Sequence, residues 1–176
     1  LVVDKTQELA IVTVEGPSGQ KVLPVFTSVE AMQKWKPEAR PVPVEARRAA
    51  LAAAADGAQW IVVDPKSSTE IVLRRPVLES VAQGTPWVPN HVDEELQQVF
   101  TDSIVDEPFV NAIRLTAGDP DARGLHEDLI LQIVLPPSLE QADVDRIVHS
   151  LTGKWSQQEI ISNRIDSMRL QLVPAV

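Results

Sequence analysis

The apolar residues of this chain come in short β-branched runs closed by turns dense in Pro and Gly. That pattern limits it to small sheets and short helices. Residues 8–14 (ELAIVTV) read as a strand, Gly16-Pro17-Ser18-Gly19 as a turn, and residues 21–26 (KVLPVF) as the returning hairpin strand. Pro24 has no N–H to give to a ladder, which places that strand at a sheet edge or a bulge and disfavours strand-mediated dimers there. Residues 59–64 (QWIVVD) and 69–74 (TEIVLR) form a second hairpin around Pro65-Lys66-Ser67-Ser68.

Helices are marked by their ends. Thr27-Ser28-Val29-Glu30 reads as a capping box, with Thr27 at the N-cap and Glu30 three residues on. Pro37, Pro41 and Pro43 stop that helix, and an alanine-rich helix over residues 44–55 follows, ended by Gly57. Pro76 opens another helix and Gly84 stops it. Residues 85–90 (TPWVPN) are extended and act as a linker. Beyond it come a helix over 93–104 and a strand pair over 109–115 and 128–135. Ser138-Leu139-Glu140-Gln141 reads as a second capping box, and its helix ends at Gly153. Val144, Ile147, Val148 and Leu151 have the spacing of one buried helical face. Ser156-Gln157-Gln158-Glu159 is a third box, and Met168, Leu170 and Leu172 alternate with Arg169 and Gln171 as a half-buried strand. The fold class is α+β, with hairpin-built, mostly antiparallel or mixed sheets and helices packed on one side. It falls into two similar-sized halves, residues 1–90 and 91–176.

Charge separates the halves. Residues 1–90 carry ten basic and ten acidic side chains, whereas residues 91–176 carry six and fifteen, so the whole net charge of −9 lies in the second half. An acidic surface repels phosphate backbones and anionic membranes, so neither nucleic acid nor membrane is an expected partner. It suits solubility, or a basic protein partner. No apolar run approaches the ~20 residues of a membrane span. With no Cys, disulfides and thiol chemistry are excluded, which leans towards a cytoplasmic location. The chain opens on Leu1 rather than Met, which leaves a trimmed or processed N-terminus open.

The segment Leu23-Pro24-Val25-Phe26-Thr27-Ser28 resembles the hallmark of the SseB-like family. Residues 40–65, and 72–89 with Arg74-Arg75-Pro76 and Gly84-Thr85-Pro86-Trp87, are similar to the following segments of its actinobacterial members. The resemblance covers residues 8–90. Over 91–176 only the order of strands and helices matches a C-terminal region of the family. It implies a bacterial protein with an SseB N-terminal domain, and it implies no catalytic residue, cofactor or substrate.

The remaining motifs are sparse. Asp119, Asp121 and Gly124 fit the start of a calcium loop, but Arg123 and Ile130 stand where ligands are needed, so a solvated hairpin loop is the expectation. His91 with Asp93 and Glu94, and His126 with Glu127 and Asp128, lack the spacing of a zinc site and read as surface groups. No phosphate-cradling or nucleophile-elbow motif occurs. Arg47, Arg74 and Arg75 are candidates for a carboxylate or phosphate ligand, set against ion pairing with Glu45, Glu70 and Glu79. Trp87, between Pro86 and Pro89, and Phe26 are candidates for contact with a partner. Trp35, Trp60 and Trp155 are expected in the core. The expected function is a non-catalytic interaction or regulatory module without cofactor or metal, with a homodimer compatible. A sensor of an amino acid or other carboxylate is the alternative, followed by an enzyme of unrecognised type.

Overall fold

Each half of the chain builds a hairpin and then returns through two helices to a third strand. A computed structural model describes residues 12–16 and 19–175. Residues 8–11 of the first expected strand, and Pro17 and Ser18 of its turn, lie outside these. The chain divides into two units, Leu1–Pro86 and Trp87–Val176. Each has its own sheet, one of four strands and one of three, and both mix parallel with antiparallel pairing. The class is α+β, as the sequence implies.

In the first unit, β1 (Val14–Glu15) pairs antiparallel with β2 (Lys21–Val25). The chain then passes through α1 (Val29–Trp35) and α2 (Ala46–Ala55) to β3 (Trp60–Val63), which lies parallel to β2 with Leu23 opposite Ile61. A parallel neighbour requires such a long crossover. β4 (Ile71–Leu73) folds back antiparallel on β3, and α3 (Arg75–Gln83) follows, ended by Gly84 at φ 71°. Ala49, Ala50 and Ala53 are buried on α2, where their small side chains admit the sheet closely. Leu23, Ala53, Ile61 and Leu78 make the core.

Pro24 corrects one expectation. The strand order is β1-β2-β3-β4, so β2 is internal rather than an edge. The carbonyl of Val25 accepts from Asp64 N–H at 2.9 Å, which turns the backbone groups of Val25 toward β3. By alternation those of Pro24 point the other way. β1 reaches only Lys21 and Val22 on that side, so the missing N–H of Pro24 falls where no described strand asks for it.

The second unit opens with a 3-10 turn, Asn90–Val92, and α4 (Glu94–Ser103), then β5 (Ala112–Ala117) and β6 (Leu129–Leu135) as a hairpin. α5 (Gln141–Trp155) and α6 (Glu159–Arg164) cross to β7 (Met168–Pro174), parallel to β6. Leu129, Leu131, Ile133 and Leu135 alternate along β6 and are buried against Leu96 and Phe100 of α4 and Ile147, Leu151 and Trp155 of α5. Trp155 meets Phe100 edge to face, with centroids 5.3 Å apart, and its indole N–H donates to Ser103 Oγ at 2.8 Å.

All three capping boxes start their helices later than their spacing suggests. Ser28, not Thr27, caps α1 and accepts from Ala31 N–H, because the hydroxyl of Thr27 is bonded elsewhere. α5 begins at Gln141, after a turn in which Leu139 N–H donates to Pro136 O. Ser156 closes α5, donating to Gly153 O, while Gln158 precedes α6. Gly153 therefore lies inside α5, which runs on to seat Trp155 in the core.

Two close contacts yield predictions. A Cβ on Gly118 would lie 2.1 Å from the carbonyl oxygen of Glu127, at the loop end of the β5–β6 hairpin. Gly118→Ala is expected to cost about 2 kcal/mol or more, since backbone must move to admit it; urea denaturation measures this, and an unchanged midpoint refutes it. Glu107 is buried, accepting from Ser150 Oγ at 2.6 Å and Arg146 Nη1 at 3.3 Å. The Ser150 hydrogen bond first, and Arg146 with it, hold its carboxyl below the usual range despite burial. A depressed pKa gives stability that is present above the unfolded value and lost as pH falls through the folded one. Glu107→Gln should therefore destabilise by about 1–2 kcal/mol at pH 7, with the difference vanishing in acid. Melting curves across pH 3–7 test this, and a constant difference would exclude the ionised carboxylate as its source.

Candidate functional site

The ends of β2 and β3 meet at a corner that no local spacing in the sequence announces. Asp64 closes β3 in the left-handed region, φ 49°, and is buried. Its Oδ1 accepts from Thr27 N–H at 2.8 Å and its Oδ2 from Thr27 Oγ1 at 2.6 Å. Lys66, also left-handed at φ 66°, directs its N–H to Glu70, and Ser67 Oγ accepts from Thr69 N–H. The β3–β4 turn is thus tied at both ends. Phe26, immediately before Thr27, packs against Trp35 of α1 with centroids 5.4 Å apart, so most of its surface is already used within the chain.

The three arginines do not form one cluster. Arg74 is buried at the start of α3, its guanidinium carbon 5.0 Å from the centroid of the Trp60 ring. A planar cation over an indole face is a favourable arrangement in a desolvated site. Arg75 pairs with Glu79 one turn along α3 at 3.1 Å. Arg47 of α2 donates from Nε to Ala82 O at 2.9 Å, at the far end of α3. Seven helical residues, roughly 10 Å, separate that end from Arg75. The ion pair with Glu79 appears as the sequence suggests. Arg47 instead satisfies a helix-terminal carbonyl, which pattern alone does not reveal.

In the second unit the segment from Trp87 to Val92 is held by its one buried member. Asn90 donates from Nδ2 to Asp128 Oδ2 at 2.6 Å, and the same oxygen accepts from Asp166 N–H. With Asn90 anchored, Trp87, Val88 and Val92 are 46%, 52% and 57% exposed. The next residue, Asp93, is buried and caps α4, accepting from Glu95 N–H and Leu96 N–H at 3.1 Å each. Arg164 of α6 grips Asp93 through both oxygens and reaches Glu95 as well, and these carboxylates raise its pKa. Glu94 and Glu95 face solvent beside the exposed apolar residues.

Other candidates have structural employment. Asp119 accepts from Gly124 N–H at 2.6 Å and so closes its own loop. Asp93 and Asp128 are engaged as above. Among the described residues no group of three or more His, Cys, Asp or Glu is gathered for a metal, and no helix is long and apolar enough to cross a membrane. Of the tryptophans, Trp155 is core, while Trp35 and Trp60 are half-buried.

Residues 2–80 match the family model of the SseB protein N-terminal domain. The match supports the SseB-like family, and the SseB-like segment contains the Thr27–Asp64 corner, Phe26, Arg47, Arg74 and Arg75. Trp87 and the acidic unit lie beyond it. No curated protein and no solved structure matches the chain.

Removing the Asp64 carboxylate leaves two Thr27 donors without their acceptor. Asp64→Ala is expected to cost about 2 kcal/mol, and Thr27→Val about 1 kcal/mol. In a double-mutant cycle the two losses should not add, because both variants remove the bond from Thr27 Oγ1 to Asp64. Additive losses in equilibrium denaturation would refute the tie.

Proposed function

We propose that this chain is a non-catalytic protein-interaction or regulatory module of the SseB family, of actinobacterial type and cytoplasmic. It takes a basic partner through the Trp87 segment. The observation that carries this reading is the exposure of Trp87, Val88 and Val92 on a stretch whose backbone is pinned by Asn90. A rigid segment presenting a Trp loses little entropy on binding, and Trp is favoured at binding hot spots. Glu94 stands beside it, within a half of net charge −9. That supplies the complementary field for a basic partner, which speeds association and makes it salt-sensitive.

A second reading, a sensor of small carboxylates, rests on Arg74, a buried guanidinium with Trp60 beneath it. The two readings separate in one pair of measurements. A partner retained by the wild-type chain should be lost on Trp87→Ala and weakened by salt. Trp87→Ala itself should move the melting point by no more than about 2 °C, since the residue is exposed. Melting in the presence of amino acids and other small carboxylates should stay flat. A shift of roughly 5–10 °C with one of them, abolished by Arg74→Ala, would replace the interaction reading with the sensor.

A further inference from the structure

The two units share one strand plan, and among the described residues one position in it is filled in the first and open in the second. In each, the second hairpin strand is central and takes a parallel strand after a two-helix crossover: β2 takes β3, and β6 takes β7. In the first unit the far side of β3 carries the antiparallel β4. In the second unit β7 is the last strand, and among the described residues no strand lies beyond it.

The backbone of β7 can be assigned group by group. Leu129 N–H donates to Ser167 O, and Ala175 N–H to Leu135 O, at opposite ends of the β6–β7 ladder. The odd-numbered residues therefore face β6. The N–H and C=O groups of Met168, Leu170 and Leu172, and the C=O of Pro174, point outward. Natural edges are guarded by short length, bulges, Lys, Pro or inward-pointing charge. β7 is seven residues long, its register with β6 is unbroken, it has no Lys, and its Pro stands last. Its apolar side chains share a face with Leu129, Leu131 and Ile133. Met168 and Leu170 pack on the core there, whereas Leu172, beside the fully buried Ile133, is 46% exposed. The helical layer stops short of it.

We infer that β7 is a dimerisation edge and that its occupant is the β7 of a second copy, added antiparallel about a two-fold axis at Leu170. That register makes Leu170 and the partner's Leu170 a bonded pair and sets Met168 opposite the partner's Leu172. It uses every outward N–H of the strand in about six hydrogen bonds and leaves Pro174 outside the ladder. On the other face Arg169 meets the partner's Gln171. A two-fold axis at Arg169 would instead set two arginines face to face, which is destabilising. The exposed Leu172 is covered by Met168 of the other copy, and the two sheets become one of six strands. The contact is small, so the dimer belongs to the weak class. Because each second half carries the surplus of negative charge, added salt tightens it.

Sedimentation equilibrium on the full chain, up to about 1 mM, tests the inference over the range of weak association. The expected result is a monomer–dimer equilibrium that tightens between low and high salt and weakens at least about tenfold in Leu172→Lys, a change at an exposed site that the monomer tolerates. Amide exchange provides a readout independent of any variant. Leu170 and Leu172 should exchange fast in dilute solution and slowly when concentrated, while Arg169 and Gln171 are protected in both. In this cysteine-free chain, Leu170→Cys should cross-link to its copy on mild oxidation, whereas Thr116→Cys on β5 should not. A chain that stays monomeric throughout, a dimer indifferent to Leu172→Lys, or concentration-independent exchange at Leu170 would each overturn the proposal. Protection of these amides only by a foreign peptide would assign the edge to another partner.

Discussion

Both units depend on a strand that is paired on two sides in opposite senses. β6 shows the constraint most fully. Its even-numbered residues bond to β5, its odd-numbered ones to β7, and the odd side chains are buried beneath α4 and α5. A strand so used must be apolar on the helix face and uninterrupted, and Leu-Ile-Leu-Gln-Ile-Val-Leu satisfies both demands. The hairpin supplies one neighbour locally. The other has to come back through two helices, and the helices thereby acquire the surface on which they pack.

The polar groups of the second unit are spent on fixing those helices. Glu107 ties the loop after α4 to Ser150 and Arg146 of α5, Lys154 and Trp155 reach back to Ser103, and Arg164 of α6 holds the cap of α4 through Asp93. Each pair lies far apart in the chain. They join the three helices over one sheet face, and in doing so they consume acidic residues that a reading by composition counts as free charge. The exposed acids that remain, Glu94 among them, border the apolar Trp87 segment.

How much was legible follows from the range of the interactions. The alternation in residues 168–172, the buried face of Val144, Ile147, Val148 and Leu151, and the stop at Gly84 are local signals, and each appears as a strand, a helix or a cap. The capping boxes mislead because a Ser or Thr at the right spacing is only a candidate. Thr27 is taken by Asp64, thirty-seven residues away, and Ser156 by the helix before it. Pro24 suggests an edge or a bulge because sequence gives no count of neighbours on each side of a strand. The parallel pairing of β3 with β2 was equally invisible, since residues 21–26 and 59–64 carry nothing that names each other. For the candidate site, the exposure of Trp87 agrees with its setting between prolines, whereas the dispersal of Arg47 from Arg74 and Arg75 needed the length of α3 to be seen.

The bond between Thr27 and Asp64 has a bearing on how the first unit comes apart. Bringing its two ends together closes a loop of nearly forty residues, and the entropic cost of that closure grows only slowly with length. A covalent staple at the same place would restrict the unfolded chain as well. Here the clasp exists only once β2 and β3 lie side by side, so it leaves the unfolded ensemble untouched and acts wholly on the folded state. Crossover, corner and turn are consequently expected to be gained and lost as one cooperative element, with no partly fastened form in which α1 and α2 hang from a sheet already made.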